Sequence, residues 1–112
     1  MVNSTSKMKF FRWTDDSSLL NKPLLTGLRK GEHDHALLCY KAVLKYMHDR
    51  KSSRKDTAQA QQILSIGVRG SNEMREEIFL QIIKQLTLNP SRESMVLGWQ
   101  LLTICCGTFA PS

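Results

Sequence analysis

The stretch REEIFLQIIKQLTLNP, residues 75–90, decides the fold because it joins a helical apolar pattern to a stop signal. Apolar residues recur at three- and four-residue steps, glutamates crowd the start and Pro90 closes it, which predicts an amphipathic helix beginning near Asn72. Arg75 and Gln85 nevertheless fall on its apolar face. Arg75 lies in the first turn, from which a long side chain can reach past the helix end or pair with a carboxylate. Gln85 has no such exit, and an unsatisfied buried amide costs about 1 to 3 kcal/mol, so Gln85 predicts specific packing partners.

Two helices are expected before this one. Residues 32–51 carry an apolar stripe with helical spacing, acidic residues in the first turn and basic residues in the last, which predicts a helix with a complemented dipole. After a polar loop, Asp56 is the expected N-cap of a second, short helix that ends towards Gly70. Gln59, three residues after Asp56, completes the pattern of a capping box.

A last helix is expected after Asn89 or Ser91, both good N-cap residues. Its predicted buried face consists of Met95, Trp99, Leu102 and Cys106. Residues 101–109 are apolar in almost every direction around the axis, and a helix apolar on all sides is buried on all sides. Either a partner covers this helix or the sequence is a piece of a longer domain. We expect the second, a piece of a longer domain.

The N-terminal part lacks a helical period. Residues 1–12 are expected to form a flexible tail. The next segment contains Pro23, Gly27 and Gly31, which interrupt regular structure. It also contains five leucines, which predict a segment packed along the domain: Leu19, Leu20, Leu24, Leu25 and Leu28. The predicted fold is therefore all-α, a compact bundle of about four main helices in residues 13–112 with an extended, leucine-rich N-terminal segment.

Length and composition bound the class of protein. The 112 residues suit one small domain, and apolar runs such as residues 78–83 are far shorter than the roughly 20 residues of a membrane span. No apolar signal-peptide core is evident near the N-terminus, so we expect a cytoplasmic protein. Cys105 and Cys106 are adjacent and poor partners for each other, which predicts reduced thiols. Cys39 lies near three histidines, but no zinc-like ligand set can be assembled, so neither a metal nor another cofactor is expected.

Positive charge is the main functional signal in the residues themselves. The net charge is +6, which predicts attraction to nucleic acid, anionic lipid or an acidic protein surface. Positions 41–55 contain six lysines and arginines but only one acidic residue, an aspartate. Seven side chains form what we call the basic strip: Lys41, Lys45, His48, Arg50, Lys51, Arg54 and Lys55. The alternative interpretation is a solvated helix face and loop with no partner.

Several motifs occur together in the order of a known family. MREEIFLQIIKQLTLNP, then GWQLL and FAPS, resemble the myosin tail homology 4 (MyTH4) domain, a helical module of unconventional myosins, some kinesins and certain Rho GTPase-activating and pleckstrin-homology proteins. NKPLL at residues 21–25 and YM at residues 46–47 match earlier landmarks. The resemblance covers residues from about 13 to 112.

The resemblance implies a structural role for the motif residues, which are Pro23, Arg75, Glu76, Glu77, Gln81, Lys84, Gln85, Asn89, Pro90, Gly98 and Trp99. For the polar residues among them, the resemblance implies a hydrogen-bonded network that joins the third helix to its neighbours. Gly98 would let two backbones approach closely, and Trp99 would be a core anchor. Glu76, Phe79 and Leu97 depart from the residues usual in the family. The family domain usually continues past FAPS with further helices, so the resemblance also implies a domain truncated at its C-terminus.

Family membership implies a binding module rather than an enzyme. Such domains resemble adaptors that, commonly beside a FERM domain, link motor or signalling tails to microtubules or cargo; a GAP domain is the other expected neighbour. The basic strip would meet the acidic surface of a microtubule, with an affinity that falls as salt rises.

Two other classes of function are weighed against this one. A basic helical nucleic-acid-binding domain would suit the charge, but the aromatic residues fall mostly on predicted core faces rather than among basic residues, so no nucleic acid is expected. Catalysis would need a motif that is missing: no phosphate-binding loop, nucleophile elbow or facing pair of carboxylates occurs. Cys39 and His35 are four residues apart, but no third group orients them.

Overall fold

The computed structural model describes residues 12–15 and 22–109. These residues form a 3-10 turn and four α-helices, and contain no strand. The turn is Lys30–Glu32, and the helices are α1 (His33–Tyr46), α2 (Asp56–Arg69), α3 (Asn72–Leu86) and α4 (Arg92–Thr108). The all-α prediction with four main helices is confirmed. The predicted tail, apart from Arg12, and the leucines at positions 19 and 20 lie outside the described residues.

One apolar core joins the four helices. It includes Val43 of α1, Ile63 of α2, Ile78 of α3 and Leu101 of α4, all without solvent exposure. The leucine-rich segment contributes Leu28, which is buried, and Leu25, which packs against the core. The predicted packing along the domain is therefore confirmed for the described part of this segment. Its apolar side chains stabilise the segment there by leaving water.

Serine side chains begin the last two helices. Ser71 Oγ accepts a hydrogen bond from the Met74 amide at the start of α3, and Ser91 Oγ accepts one from the Ser94 amide at the start of α4. Each bond satisfies one of the amides that a helix start leaves without an intrahelical partner. The predicted starts near Asn72 and after Ser91 are confirmed.

The predicted N-terminal capping of α2 is wrong. Asp56 is the first helical residue rather than the N-cap, and the N-cap residue, Lys55, makes no side-chain capping bond. Gln59 does not complete a capping box, because its amide donates to the Ser52 hydroxyl at 3.0 Å. The Asp56 carboxylate still lies at the positive end of the helix dipole, which is favourable.

The first helix is shorter than predicted. It ends at Tyr46 rather than near residue 51, and His48 follows with a φ of 61°, in the left-handed region. The Asp49 amide donates to the Leu44 carbonyl at 2.9 Å, which satisfies one of the last carbonyls of α1. The chain therefore leaves the helix axis before His48, and the basic residues that follow belong to the loop.

The buried face of α4 is one position away from the predicted face. Its buried residues are Ser94, Gly98, Leu101 and Cys105, each one residue before a member of the predicted set. One residue is about 100° of rotation around a helix, so Trp99 points outward with an exposed fraction of 56%. The expectation that Trp99 is a core anchor is wrong for the chain described here.

Small residues explain this orientation of α4. A Cβ atom at Gly98 would lie 2.6 Å from Met47 Cε and 2.8 Å from Leu86 Cδ2, so only glycine fits without displacing those side chains. The atoms next to Gly98 are side-chain ends, not a second backbone as the family resemblance implied. Serine and glycine let α4 approach α1 and α3 closely, whereas Trp99 would not fit there.

Four polar side chains of α3 tie the N-terminal segments to the bundle, and we call them the polar seam: Glu77, Gln81, Lys84 and Gln85, all buried. Glu77 accepts hydrogen bonds from the backbone amides of Leu24 and Leu25, at 2.9 Å and 2.8 Å. Both amides belong to described residues, 22–29, that form no helix, so the carboxylate satisfies donors that the fold would otherwise bury unpaired.

One turn along α3, Gln81 joins the seam to α1. Its amide nitrogen donates to the Ala36 carbonyl at 2.9 Å and to Glu77 at 3.0 Å. Its carbonyl oxygen has no partner in the described part of the chain. Gln81 thus also holds the Glu77 carboxylate in the position in which it accepts from the N-terminal segment.

Lys84 contacts a different N-terminal segment. Its ammonium donates to the Arg12 carbonyl at 2.7 Å and to the Tyr40 hydroxyl at 3.2 Å. Burial lowers the pKa of Lys84 to about 8, because the charged form is poorly solvated there. The lysine therefore bridges the segment at residues 12–15 and helix α1.

Gln85 finds the partners that its position demanded. Its amide nitrogen donates to the Thr14 carbonyl at 2.9 Å and to Asp49 at 3.1 Å, and its oxygen accepts from the Tyr40 hydroxyl at 2.7 Å. Asp49 also accepts from the Ser94 hydroxyl at 2.7 Å. A single buried amide thus connects an N-terminal segment, α1 and the loop that follows it.

We expect Gln85→Leu to destabilise the protein by about 2 to 4 kcal/mol, because leucine fills a similar volume but leaves several buried polar groups without a partner. Urea denaturation followed by circular dichroism measures the free energy of unfolding. Lys51→Glu, an exposed change in the loop, is the control and should change it by less than about 0.5 kcal/mol. Equal stability of the leucine variant and the natural protein would contradict the proposed weight of this amide.

Candidate functional site

The structure gathers most of the basic strip around one open depression. Lys45, His48, Arg50, Lys51 and Arg54 line it, together with Ser52 and Asp56, and its volume is about 370 Å³. Lys41 and Lys55 do not line the depression, but both are exposed, on α1 and next to the start of α2. The loop between α1 and α2 therefore presents three of its cations, Arg50, Lys51 and Arg54, around one depression.

The early end of α1 produces this arrangement. After Tyr46 the left-handed conformation of His48 turns the chain, and the carboxylate of Asp49 bonds to Gln85 and Ser94 in the interior. Asp49 is the one acidic residue among positions 41–55. With its side chain directed towards α3 and α4, the outer surface of the loop carries mainly positive charge.

His48 differs from the other members of the strip because it contacts two carboxylates. Its Nε2 lies 3.0 Å from both oxygens of Asp56, and its Nδ1 lies 3.3 Å from Glu93. The hydrogen bond with Asp56 is the main cause that raises the pKa of His48 above its ordinary value. His48 therefore connects the loop to α2 and α4, and acidic groups lie at this end of the depression.

The family-motif residues do not join the strip; they serve the fold. Arg75 reaches back to the end of α2, where its guanidinium donates to the carbonyls of Gly67 and Val68 at 2.8 Å and 3.3 Å. A cation is favourable at this negative helix end. Asn89 donates to the Gln85 carbonyl at 3.0 Å and to the Ser94 hydroxyl at 2.8 Å, which joins the end of α3 to the start of α4.

The remaining motif residues are less tightly placed. Pro23 is half-buried just before the amides that Glu77 binds, Glu76 is half-buried on α3, and Pro90 is exposed in the link to α4. None of the three lines the depression of the basic strip. The structure thus separates the two groups of predicted site residues in space: the charge lies on the loop, and the described motif residues, including Trp99, which is exposed on α4, do not line its depression.

A second surface, missed by the sequence reasoning, lies on α4. Val96, Trp99 and Ile104 are exposed by 51%, 56% and 37%, and with Tyr46, Gln100 and Thr103 they line an open apolar depression of about 570 Å³. We call these six residues the α4 apolar patch. The predicted all-round apolarity of residues 101–109 was a related signal, but only Thr103 and Ile104 of the patch lie in that range, and it could not show which side would remain uncovered.

The cysteines offer no activated thiol at the core. Burial raises the pKa of Cys39, and burial raises the pKa of Cys105 to about 12, so both thiols stay protonated at neutral pH. Within residues 12–15 and 22–109 no three His, Cys, Asp or Glu side chains are grouped to hold a metal. No helix in the described ranges combines the length and apolarity needed to cross a bilayer.

We expect His48 to titrate above its ordinary pKa of 6.5, because Asp56 and Glu93 stabilise the imidazolium. The stability that this contact contributes is fully present below pH 6.5 and is lost as the pH rises through the raised pKa. NMR titration of the imidazole measures the pKa, and Asp56→Asn should lower it towards 6.5. An unchanged pKa in that variant would contradict the assigned cause.

Comparisons with known proteins agree with this architecture. The family model described as MyTH4 domain matches residues 60–112. The chain is 37% identical over 105 residues to unconventional myosin heavy chain 6 of Caenorhabditis elegans, covering 89% of this chain and 5% of that protein. It therefore spans a small fraction of this relative.

Solved structures show the same fold. The Dictyostelium discoideum myosin VII MyTH4-FERM domain matches with a TM-score of 0.86 and 23% identity, covering all of this chain and 22% of that one. A human myosin 7b C-terminal MyTH4-FERM domain, solved in complex with the harmonin-a PDZ3 domain, matches with a TM-score of 0.79 and 31% identity over 90% of this chain and 21% of that one. Family model, relative and structures coincide, and the chain belongs to the MyTH4 domain family.

Proposed function

We propose that this chain is a non-catalytic adaptor module through which a cytoskeletal motor or Rho-signalling protein contacts microtubules or cargo. The observation that carries the proposal is the grouping of Lys45, Arg50, Lys51 and Arg54 around one open depression. A FERM or GAP domain in the same polypeptide is part of the proposal, and two similar solved structures are MyTH4-FERM domains. The proposed location is the cytoplasm, in association with the cytoskeleton.

Electrostatics favour an acidic partner surface. Positions 41–55 contain six lysines and arginines and one acidic residue, Asp49. The side chain of Asp49 bonds to Gln85 and Ser94 in the interior. Microtubules present an acidic surface, so complementary charge would speed association and orient the encounter. Exposed ion pairs contribute only about 0.2 to 1 kcal/mol each, so binding through several of them is modest and strongly dependent on salt.

A protein partner fits the strip better than nucleic acid does. Non-specific binding of single strands uses aromatic side chains, on which bases stack, between basic residues. Among the described residues that line the depression of the basic strip, none is a phenylalanine, tyrosine or tryptophan. Trp99 is exposed, but it lines the α4 apolar patch, whose described lining contains no lysine or arginine. The described residues of the strip therefore offer the alternative, a basic helical nucleic-acid-binding domain, no large aromatic ring on which bases could stack.

We expect Lys45→Glu combined with Lys51→Glu to weaken binding to microtubules at least tenfold at low salt, because two attractive contacts become repulsive. Co-sedimentation with polymerised tubulin over a salt series measures the affinity. Arg29→Glu combined with Arg69→Glu is the matched control: it changes the net charge equally, Arg69 also lies in the last turn of a helix, and both residues line a different depression. Melting temperatures should change little in both double variants.

Three results would contradict the proposal. Equal binding by the Lys45/Lys51 double variant and the natural protein would exclude the strip from the interface. Equal weakening by both double variants would mean that net charge alone governs binding. Retention of duplex DNA, with no retention of microtubules at the same salt, would favour the nucleic-acid alternative.

We further propose that the domain comprises residues 13–112 together with additional helices in a longer polypeptide, and that these helices cover the α4 apolar patch. The patch exposes Val96 and Trp99 by about half, and its depression is almost wholly apolar. Large exposed apolar patches mark interaction surfaces. The matching myosin heavy chain is far longer than the segment aligned here, so further chain is a natural occupant.

Tryptophan fluorescence tests this second proposal. In a polypeptide extended by about 100 residues of the natural sequence, a length typical of a small helical domain, we expect the emission of Trp99 to shift to shorter wavelength, because the indole leaves water. Trp13→Phe isolates the signal from Trp99. The same emission maximum in the short and extended chains would show that the following segment does not cover the patch.

A further inference from the structure

Two adjacent serines in the α1–α2 loop have different surroundings. The Ser52 hydroxyl accepts hydrogen bonds from the Arg54 amide at 3.1 Å and from Gln59 Nε2 at 3.0 Å, so it organises the turn before α2. The Ser53 side chain is exposed, and its hydroxyl makes no hydrogen bond within the described residues. Ser53 is therefore available for chemistry that Ser52 could undergo only by giving up its contacts.

The sequence around Ser53 is strongly basic. Arg50 and Lys51 precede it by three and two residues, and Arg54 and Lys55 follow it. Protein kinases select substrates through charge patterns, and one class accepts arginine and lysine at these two upstream positions in an acidic cleft. Thr57 has the same upstream pattern, with Arg54 and Lys55 at the corresponding positions. Sequence alone thus offers two candidate acceptors.

Local structure separates the two candidates. Thr57 lies in the first turn of α2, where its backbone is held in helical conformation. Ser53 lies in a bend of the loop, and residues 51–53 make no backbone–backbone hydrogen bond with other described residues. Because a kinase active site takes its substrate as an extended segment, Ser53 can enter without unfolding a helix and Thr57 cannot.

We propose that Ser53 is a phosphorylation site for a protein kinase that selects basic residues. In the reaction the Ser53 oxygen attacks the γ-phosphorus of ATP, and a new O–P bond forms as the bond to the β,γ-bridging oxygen breaks. The hydroxyl proton passes to the catalytic aspartate of the kinase, and ADP leaves. The product is a phosphoserine monoester with a charge of about −1.5 to −2 at neutral pH.

Ser53 does not line the depression of the basic strip, but both of its neighbours, Ser52 and Arg54, do, so a phosphate on Ser53 would change the charge beside that surface. This regulatory role rests on the proposed function. Positions 41–55 carry six positive charges and one negative charge, a net of +5 without His48. Phosphorylation would reduce that value by about 2. It would also place phosphate oxygens beside Arg50 and Arg54, where they compete for the guanidinium groups with an acidic partner. The phosphorylated chain should therefore bind a microtubule more weakly.

The experiment uses the catalytic subunit of the cAMP-dependent protein kinase with Mg²⁺ and ATP, and mass spectrometry to locate the phosphate. We expect one phosphate on Ser53 in the natural sequence and in Thr57→Ala, and none in Ser53→Ala. Microtubule co-sedimentation then compares the phosphorylated and unmodified chains, and we expect an affinity about threefold to thirtyfold weaker for the phosphorylated chain at low salt. Ser53→Ala treated with the kinase should bind like the unmodified chain.

The possible results test the phosphorylation of Ser53 and the proposed microtubule binding separately. Phosphate on Ser52 or Thr57, or no incorporation at all, would overturn the assignment of Ser53. Phosphate on Ser53 with unchanged microtubule affinity would overturn its regulatory role. If the unmodified chain does not bind microtubules, the proposed function fails, whereas the mass spectrum still decides whether Ser53 is the acceptor.

Discussion

Every buried polar side chain of α3 needs a hydrogen-bond partner, and this requirement organises the rest of the structure. Glu77, Gln81 and Gln85 follow each other one turn apart and are fully buried. Two of them bind backbone groups in residues 12–15 and 22–29, none of which the structure places in a helix. The segments consequently have one position on α3 in which both partners are satisfied, and leaving even one of these groups unpaired costs a substantial part of a typical domain's stability.

The same requirement reaches the outer surface through Asp49. Its carboxylate accepts from Gln85 on one oxygen and from Ser94 on the other, so the residue after the left-handed His48 is fixed to the interior. The loop can then extend outward only from Arg50 onward. The position of the cationic loop is thus a consequence of the polar seam, although no basic residue of the loop contributes to the seam.

The sequence was most informative where a residue conflicted with its surroundings. Gln85 on an apolar face implied buried partners, and the structure supplies three. Helix α4 lacked such a conflict: when nearly every direction is apolar, periodicity cannot say which side faces the core. The signal that distinguishes the sides is size rather than polarity, because Gly98 leaves room for Met47 and Leu86 and the buried Ser94 is also small. The predicted buried face of α4, which included Trp99, was wrong because the pattern weighed apolarity alone, and the core role that the family resemblance implied for Trp99 was wrong with it.

The basic strip was predicted by composition, but its shape was not. Counting charges along positions 41–55 could not show that α1 ends at Tyr46 or that His48 contacts Asp56 and Glu93. It also could not show that the Ser52 hydroxyl accepts hydrogen bonds whereas Ser53 is exposed without one among the described residues. Those features depend on which capping contacts form at a helix end. Alternative end positions differ in free energy by only a few tenths to about 1 kcal/mol. Because the loop's exposed side chains make few contacts with the core, changes of charge there alter recognition far more than stability. A surface that can change independently of its scaffold is suited to vary in partner and in regulation, whereas the seam beneath it is not.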